Sequence, residues 1–418
     1  MNTITQYSNI SNYSGFYIRL VEGLPVPGFV DFPASPEAPK IQPLGNNVKS
    51  RAIQSVFSES ERSLMVERYR LLGLSKRILS GVVRPGHNIM GCQRVPVVST
   101  VGLTQWQDQD PAIKDSHKSG FHFSGVATCK SVWVCPVCSH SLSGARASEV
   151  RQGIHKVMQD GGEVYMLTLT FQHSRFDNLS ELLYRCKDAL GKMWRQCSIR
   201  DFMAGNFIGR ITGQEFTYSD SAGWHPHQHI LLLGHKKNGF ECSFLQSFFS
   251  GYWLNALVNS GLSGISDIAC DVQPASEVHN YLTKMSGEVA LGNTGIKSGR
   301  AGHFSPFQLL AECRKREDYK RLWREFYSVT RGKRALVWSR GLKALLGVSE
   351  RSDEQILDSS EAAGYIPVLG VDSQDWRNKL SDDDLGFIRR ASLDEVIGLL
   401  DSRGARFTMA TKNISNIK

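Results

Sequence analysis

Between residues 163 and 290 the spacing of apolar positions switches repeatedly between the period of a strand and that of a helix. Val164 to Phe171 alternates, with Thr168 and Thr170 set against Leu167 and Leu169, which predicts a strand. Leu179 to Cys197 takes a helical spacing, and Phe207 to Tyr218 returns to strand. His227 to Leu233 is a mostly apolar run, which predicts a strand buried within a sheet. Phe244 to Asn259 predicts a helix and Ile268 to Val272 a short strand. Ser276 can cap a further helix through Lys284, with Glu277 in its first turn. The order β-α-β-β-α-β-α fits an α+β fold, a split βαβ sheet of the ferredoxin-like kind with an antiparallel centre.

The flanks read differently. Residues 1 to about 50 carry Pro25, Pro27, Pro33, Pro36, Pro39 and Pro43 among Ser, Asn and Gly, the composition of a disordered arm. Residues 51–90 form a helical segment, patterned from Glu59 to Leu79. Residues 91–142 hold four of the nine cysteines and predict a small separate unit, extending to about 150, ahead of a 151–300 sheet domain. Residues 301–346 read as helical and basic, with Arg314, Lys315, Arg316, Lys320, Arg321, Arg324, Arg331, Lys333 and Arg334. Residues 347–418 are richer in acid and read as an appendage, with one helix over 392–403.

At 418 residues the chain is long enough for two or three such units. Its 41% hydrophobic and 21% charged content is that of an ordinary soluble protein. The net charge of +9 is compatible with an anionic partner but does not select one. Apolar runs such as Ile230–Leu233 are too short to span a bilayer, and the first residues lack a signal-peptide pattern. The expectation is therefore a cytosolic, reducing location without a membrane partner. Nine cysteines there favour metal ligation over a disulfide framework.

Three groups of residues carry chemistry. His227 and His229 are two apart on a predicted strand, so both imidazoles face the same side of the sheet. Glu215 lies in the preceding strand, and the turn Ser219-Asp220-Ser221-Ala222-Gly223 would return that strand antiparallel. Two histidines and one carboxylate suit Mg²⁺ or Mn²⁺, although imidazole also favours zinc. The plain alternative is a pair of surface histidines. Second, Glu277, Tyr281 and Lys284 share one face of a predicted helix. A tyrosine can attack a phosphodiester, a lysine can neutralise the phosphate and a carboxylate can take a proton; a half-buried Tyr beside a solvated Glu/Lys pair is the alternative. Third, Cys135-Pro136-Val137-Cys138, with Cys129 six residues earlier, has the spacing of a zinc knuckle. Cys92 is the first choice for a fourth ligand, with His122 or His140 behind it.

In combination these segments resemble the HUH endonucleases, in particular the single-tyrosine rolling-circle replication initiators of bacterial plasmids. Tyr165-Met166-Leu167-Thr168-Leu169-Thr170 looks like their first, structural motif. Trp224-His225-Pro226-His227-Gln228-His229-Ile230-Leu231-Leu232 looks like the metal-binding motif, and Glu277 through Lys284 like the nucleophile motif. The cysteine segment 129–138 also resembles the one before the catalytic domain in this group. The resemblance covers about residues 90 to 290. It implies that His227, His229 and Glu215 bind a divalent metal, that Tyr281 attacks, and that Glu277 activates water for the terminating cleavage. It also implies single-stranded or hairpin origin DNA as substrate and a 5′-phosphotyrosine intermediate. No Gly-x-x-x-x-Gly-Lys-[Ser/Thr] loop is present, which implies a host helicase alongside a host DNA polymerase. One departure stands out: the residue between the two histidines, usually hydrophobic in that family, is Gln228, and it needs a polar partner on the opposite face. His225 is an extra imidazole that could be recruited instead. The rival readings are a transposase or relaxase with the same chemistry, a zinc-dependent DNA-binding protein without catalysis, and a zinc hydrolase of small substrates.

Overall fold

The computed structural model describes residues 61–84, 86–106, 121–235, 239–265, 268–274, 302–357 and 365–410. It opens with helix α1 (Glu61–Leu79), the single turn α2 (Asn88–Gly91) and an antiparallel pair, β1 (Thr100–Trp106) and β2 (Phe121–Ser124). Helix α3 (Pro136–Gln159) leads into β3 (Val164–Leu169), α4 (Leu179–Arg195), α5 (Cys197–Asn206), β4 (Phe207–Ser219), β5 (Gly223–Gly234), α6 (Cys242–Val258) and β6 (Cys270–Pro274). There follow β7 (His303–Phe304), α7 (Pro306–Glu312), α8 (Glu317–Thr330), β8 (Leu336–Trp338), α9 (Leu342–Leu345) and α10 (Asp353–Leu357). The last described elements are β9 (Tyr365–Asp372), α11 (Ser373–Asn378), α12 (Asp382–Ile388), α13 (Leu393–Ser402) and β10 (Phe407–Met409).

The predicted strands and helices from 164 to 274 are present, joined by one more helix, α5. Together the described elements make a mixed α+β protein with two antiparallel sheets. The larger sheet runs β6-β3-β5-β4-β7, with β8 also paired to β4. Its two faces have different fates, because side chains alternate along each strand. Tyr165, Leu167, Leu169, Phe216, Ile230 and Leu232 fall in one large core with Leu182, Leu183, Phe249 and Trp253 of α4 and α6. On the other face Val164, Met166, Ile211, Leu231 and Leu233 pack beneath Val150, Ile154 and Val157 of α3 and Leu342 and Leu346. Further along the same face, past that apolar group, the residues become Thr168, His229, His227, His225 and Glu215. The polar row is thus a continuation of a packed surface.

The second sheet has the order β10-β9-β1-β2, all antiparallel. It joins residues 100–106 to residues 365–372 along seven partner pairs, with one irregularity between Leu103 and Thr104. The acidic C-terminal segment therefore supplies strands to the cysteine-bearing region. Helix α12 closes on α1 through Arg70–Asp383 at 2.6 Å, and Arg94 adds a bond to Asp382 at 2.7 Å. A Cβ on Gly386 would lie 2.5 Å from the Val66 backbone, so only glycine lets these helices approach so closely.

The cysteine segment is likewise tied into the main core. Trp133 stands edge-on to Phe216 and Phe326 with centroids 5.2 and 6.1 Å away, and Phe326 stacks on Trp224 at 5.4 Å. Helix α8 contributes Trp323, whose indole N–H donates to Ser75 Oγ in α1 at 3.1 Å. Several cations of the basic region are spent within the fold: Arg314 pairs with Glu67, Arg316 with Asp220 and Asp318, and Arg324 donates to the Ile78 carbonyl. Arg331, Lys333 and Arg334, just past α8, are exposed. The predicted helix at 276–284 and the N-terminal arm lie outside the described residues. Among the described residues no helix is long and apolar enough to cross a membrane.

Candidate metal centres

Gly223 has φ of +77°, and a Cβ there would meet the Arg175 backbone at 2.8 Å; the turn between β4 and β5 thus requires glycine. From that turn the register runs without a shift through Glu215↔His227 and Gly213↔His229. Glu215 therefore stands directly opposite one histidine, and the glycine opposite the other leaves its imidazole uncrowded. Glu215 Oε2 lies 2.5 Å from His227 Nε2 and 2.8 Å from His229 Nε2. The three side chains are only 8 to 13% exposed.

The other ring nitrogens show which side of each imidazole faces the carboxylate. His227 Nδ1 lies 3.4 Å from the His225 carbonyl, which can only accept. His229 Nδ1 lies 3.1 Å from Thr168 Oγ1 across the β3–β5 pair. With hydrogens on both Nδ1 atoms, both Nε2 lone pairs point at a carboxylate oxygen. Three electron-rich atoms facing one another call for a cation at their centre, and outer partners of this kind orient histidines that ligate metals. Burial raises the Glu215 carboxyl, and the imidazoles of His227 and His229, as N–H donors and positive charges, overcome burial and hold it well below the usual carboxylate range, so Glu215 is the anionic member of the group whichever cation faces it. The residues fit a divalent ion in a two-histidine, one-carboxylate set with open positions.

His225, one alternation further along, is engaged on both nitrogens. Its Nδ1 is 2.5 Å from His173 Nε2 and its Nε2 is 3.2 Å from Thr170 Oγ1. His173 Nδ1 lies 2.9 Å from the Ala222 carbonyl, so His173 carries its hydrogen there and accepts from His225. The Thr170 hydroxyl then donates to His225. Burial, and next the imidazole of His227, push His225 down to about 3, so it is neutral. Sequence reasoning missed His173; its only signal was a polar residue just beyond the end of a strand whose outward positions are Thr168 and Thr170.

Gln228 finds its partner on the opposite face. Its amide donates to Gln214 Oε1 across the β4–β5 pair, and Gln214 Nε2 donates to the His227 and Glu215 carbonyls at 3.0 Å each. The polar residue between the histidines thus belongs to a side-chain ladder that braces both ligand strands.

Cys92, Cys129, Cys135 and Cys138 form the second cluster, their sulfurs all within 4.8 Å of one another. The contacts Cys92–Cys138, Cys92–Cys135 and Cys129–Cys138 measure 3.5, 3.7 and 3.8 Å. Four sulfurs at ~2.3 Å around a tetrahedral zinc ion would be separated by about 3.8 Å. Gln93 (φ 60°) and Lys130 (φ 57°) are the non-glycine residues with left-handed backbone among those described, and each directly follows a cysteine of the cluster. Such a conformation costs ~1–3 kcal/mol and persists only where surroundings enforce it. Backbone amides point at the sulfurs: Cys129 N–H at Cys92 Sγ and Cys138 N–H at Cys135 Sγ, both 3.4 Å. Hydrogen bonds among the sulfurs hold the Cys138 thiol well below its ordinary range and push Cys92 and Cys129 well above theirs, so the sulfurs share protons around one thiolate. The donor set fits zinc. His122 and His140, the other candidates for the fourth position, are not in the cluster.

The structure therefore brings together Glu215, His227 and His229, and separately the four cysteines. Tyr281, Glu277 and Lys284 lie outside the described residues. A carboxylate and two imidazoles on neighbouring antiparallel strands, with a four-cysteine cluster in the same fold, define an α+β protein with two candidate metal centres. Comparison with known proteins shows what the chain is similar to. A family model described as "Replication protein" matches residues 121–257, a segment holding Cys129, Cys135 and Cys138 of the cluster, Glu215, His227 and His229. The chain is 25% identical to a "Protein rep" of Streptomyces lividans over 59% of this chain and 70% of that protein. It is also 30% identical to a "Neomycin resistance protein" of Streptomyces cyanogenus, over 28% of this chain and 32% of that protein. No solved structure matches the chain. These matches bear out the resemblance to replication initiator proteins drawn from the motifs.

Proposed function

We propose that the protein initiates rolling-circle replication of a bacterial plasmid by nicking and rejoining single-stranded origin DNA in the cytoplasm. The observation that carries the reading is the convergence of Glu215, His227 and His229, within the segment matched by the replication protein family. The sheet order supports it. Taking β3, β4, β5 and β6 as first to fourth, the third strand lies between the first and second and the fourth lies outside the first, the order of a split βαβ fold.

In this reading Glu215, His227 and His229 hold Mg²⁺ or Mn²⁺, which when bound supplies Lewis-acid polarisation of the scissile phosphate. Thr168 and the His225 carbonyl keep the two imidazoles turned toward that position. The Tyr281 oxygen attacks phosphorus and the bond from phosphorus to the 3′ oxygen breaks. The phenol loses its proton and the departing oxygen gains one. This leaves a 5′-phosphotyrosine and a 3′-hydroxyl for a host polymerase to extend, behind a host helicase. Lys284 offsets charge on the phosphate, and Glu277 takes the proton from water in the terminating cleavage. The bond energy is kept in the tyrosyl ester, so rejoining needs no nucleotide. Cys92, Cys129, Cys135 and Cys138 hold a structural zinc, and exposed Arg331, Lys333 and Arg334 supply backbone contacts that weaken with salt.

The test is incubation with labelled single-stranded oligonucleotides spanning the plasmid origin, in Mn²⁺ or Mg²⁺. A covalent protein–DNA adduct that Tyr281→Phe abolishes supports the reading, and Glu277→Ala should still form it while failing to terminate. DNA left intact across all origin segments and both metals refutes it and favours a zinc-stabilised DNA-binding protein without catalysis.

A further inference from the structure

Three positions after His173, which bonds the His225 ring, stands an aromatic side chain that the fold holds out in water. Phe176 is 82% exposed, the highest value for any large hydrophobic residue among those described. It sits in the loop between β3 and α4, at the centre of a turn closed by Asp177 N–H donating to the Ser174 carbonyl at 3.2 Å. Ser174 N–H donates to Asp177 Oδ2 at 2.6 Å, and Phe176 N–H to Ser174 Oγ at 3.3 Å. The loop is clamped at both ends. His173 bonds the Ala222 carbonyl and His225 at one end. At the other, Leu179 N–H donates to Glu325 Oε1, while Glu325 Oε2 accepts from the Trp224 indole. The turn is therefore a built support, and apart from the neighbouring Arg175 guanidinium the described fold leaves the apolar ring at its tip in water.

Two further features say what would cover it. The Arg175 guanidinium lies over the Phe176 ring, 4.7 Å from its centroid, so a cation and an aromatic plane are presented together. The tip is also linked to the candidate metal centre by a short series of contacts. Three peptide steps lead from His173 to Phe176, a span of at most about 11 Å, and His173 touches His225, whose ring centroid is 5.1 Å from that of His227. A flat apolar face with an adjacent guanidinium is the pairing that takes a nucleobase and its phosphate from a single strand.

We propose that Phe176 is a stacking platform for one unpaired base of the DNA within a few nucleotides of the cut, with Arg175 on the neighbouring phosphate. The proposal rests on the nicking function above and assigns it a substrate contact. Because stacking reads a π-face, the platform is tolerant of base identity and positions the strand.

The test measures binding of fluorescent single-stranded origin oligonucleotides by anisotropy, without divalent metal, so that it does not depend on cleavage. Phe176→Ala should weaken binding about 5- to 150-fold, the equivalent of ~1–3 kcal/mol for one stacked base, with an unchanged melting temperature. Phe176→Trp should retain wild-type binding. Arg175→Ala should make the salt dependence shallower by about one phosphate contact, ~0.7 in log–log slope. An abasic site scanned along the oligonucleotide should at one position reproduce the Phe176→Ala loss and add nothing to it. If the wild type binds and nicks but Phe176→Ala binds equally well, or if no abasic position shows that coupling, the platform is refuted and the nuclease reading stands. A wild-type protein that neither binds nor nicks a single strand overturns both.

Discussion

Thr168→Val tests whether the ring orientation of His229 matters to metal binding, as its geometry implies. The substitution keeps the branched shape of the strand residue and removes the hydroxyl that lies 3.1 Å from His229 Nδ1. Losing one neutral hydrogen bond costs about 0.5–1.5 kcal/mol. Here the bond also holds a nearly buried imidazole with its Nε2 toward Glu215, and losing such an outer partner lowers metal affinity about 10- to 100-fold. That range corresponds to ~1.4–2.7 kcal/mol, so a loss in its upper part exceeds the hydrogen bond itself and would come from freeing the ring. Mn²⁺ titrations by calorimetry should show the weaker affinity, and the nicking rate should recover at saturating Mn²⁺. Thr170→Val is the control: its hydroxyl bonds His225, whose two nitrogens are both engaged, so Mn²⁺ affinity should stay within about twofold, well inside the loss expected for an outer partner. Equal losses in the two variants would mean that His225 ligates. An unchanged affinity in Thr168→Val, or a rate that stays low in excess metal, would refute the reasoning.

Other consequences follow from the same geometry. Cys135→Ser should reduce bound zinc, measured by elemental analysis, and lower the melting temperature, because Cys135 also caps α3 and lies in the main core; full zinc content with unchanged melting would exclude a metal role for the cluster. Gln228→Leu restores an apolar residue between the histidines but strands Gln214 Oε1, and should cost about 1–3 kcal/mol in urea unfolding. A neutral result would show that the glutamine ladder carries no weight. Asp384 is raised by burial and lowered more by Arg403 and Ser381, so its net shift is downward. A depressed carboxyl stabilises the fold above its unfolded value, ~3.9, and loses that contribution as pH falls further. Arg403→Gln should accordingly flatten the decline of stability below about pH 4; an unaltered acid slope would remove the pair from the account.

Local pattern made much of the site legible. The alternation of Thr168 and Thr170, the pair His227/His229 and the short turn before them were enough to put Glu215 on the neighbouring antiparallel strand; its place directly opposite His227 came from the pairing register. Helices α4 and α6 were readable from their spacing, whereas α5 ran on from α4 with no break that marked its start. The β1–β9 pairing could not be read, since its partners lie more than 250 residues apart and short strands carry no label for a distant edge. The cysteine segment looked separate for a similar reason: Trp133 meets Phe216 and Phe326 far along the chain, and nothing near it in the sequence announces such partners.

The sequence by itself determined which residue types could meet a metal and on which face of a strand they would stand, because strand geometry is set over a few residues. Only the tertiary structure decided the remainder. It selected Cys92 over His122 and His140, gave Gln228 its partner in Gln214, occupied both nitrogens of His225, and left the Phe176 ring exposed in the loop after β3. Each of these depends on elements brought together by burial of apolar surface across the whole chain, a global balance that no local window contains.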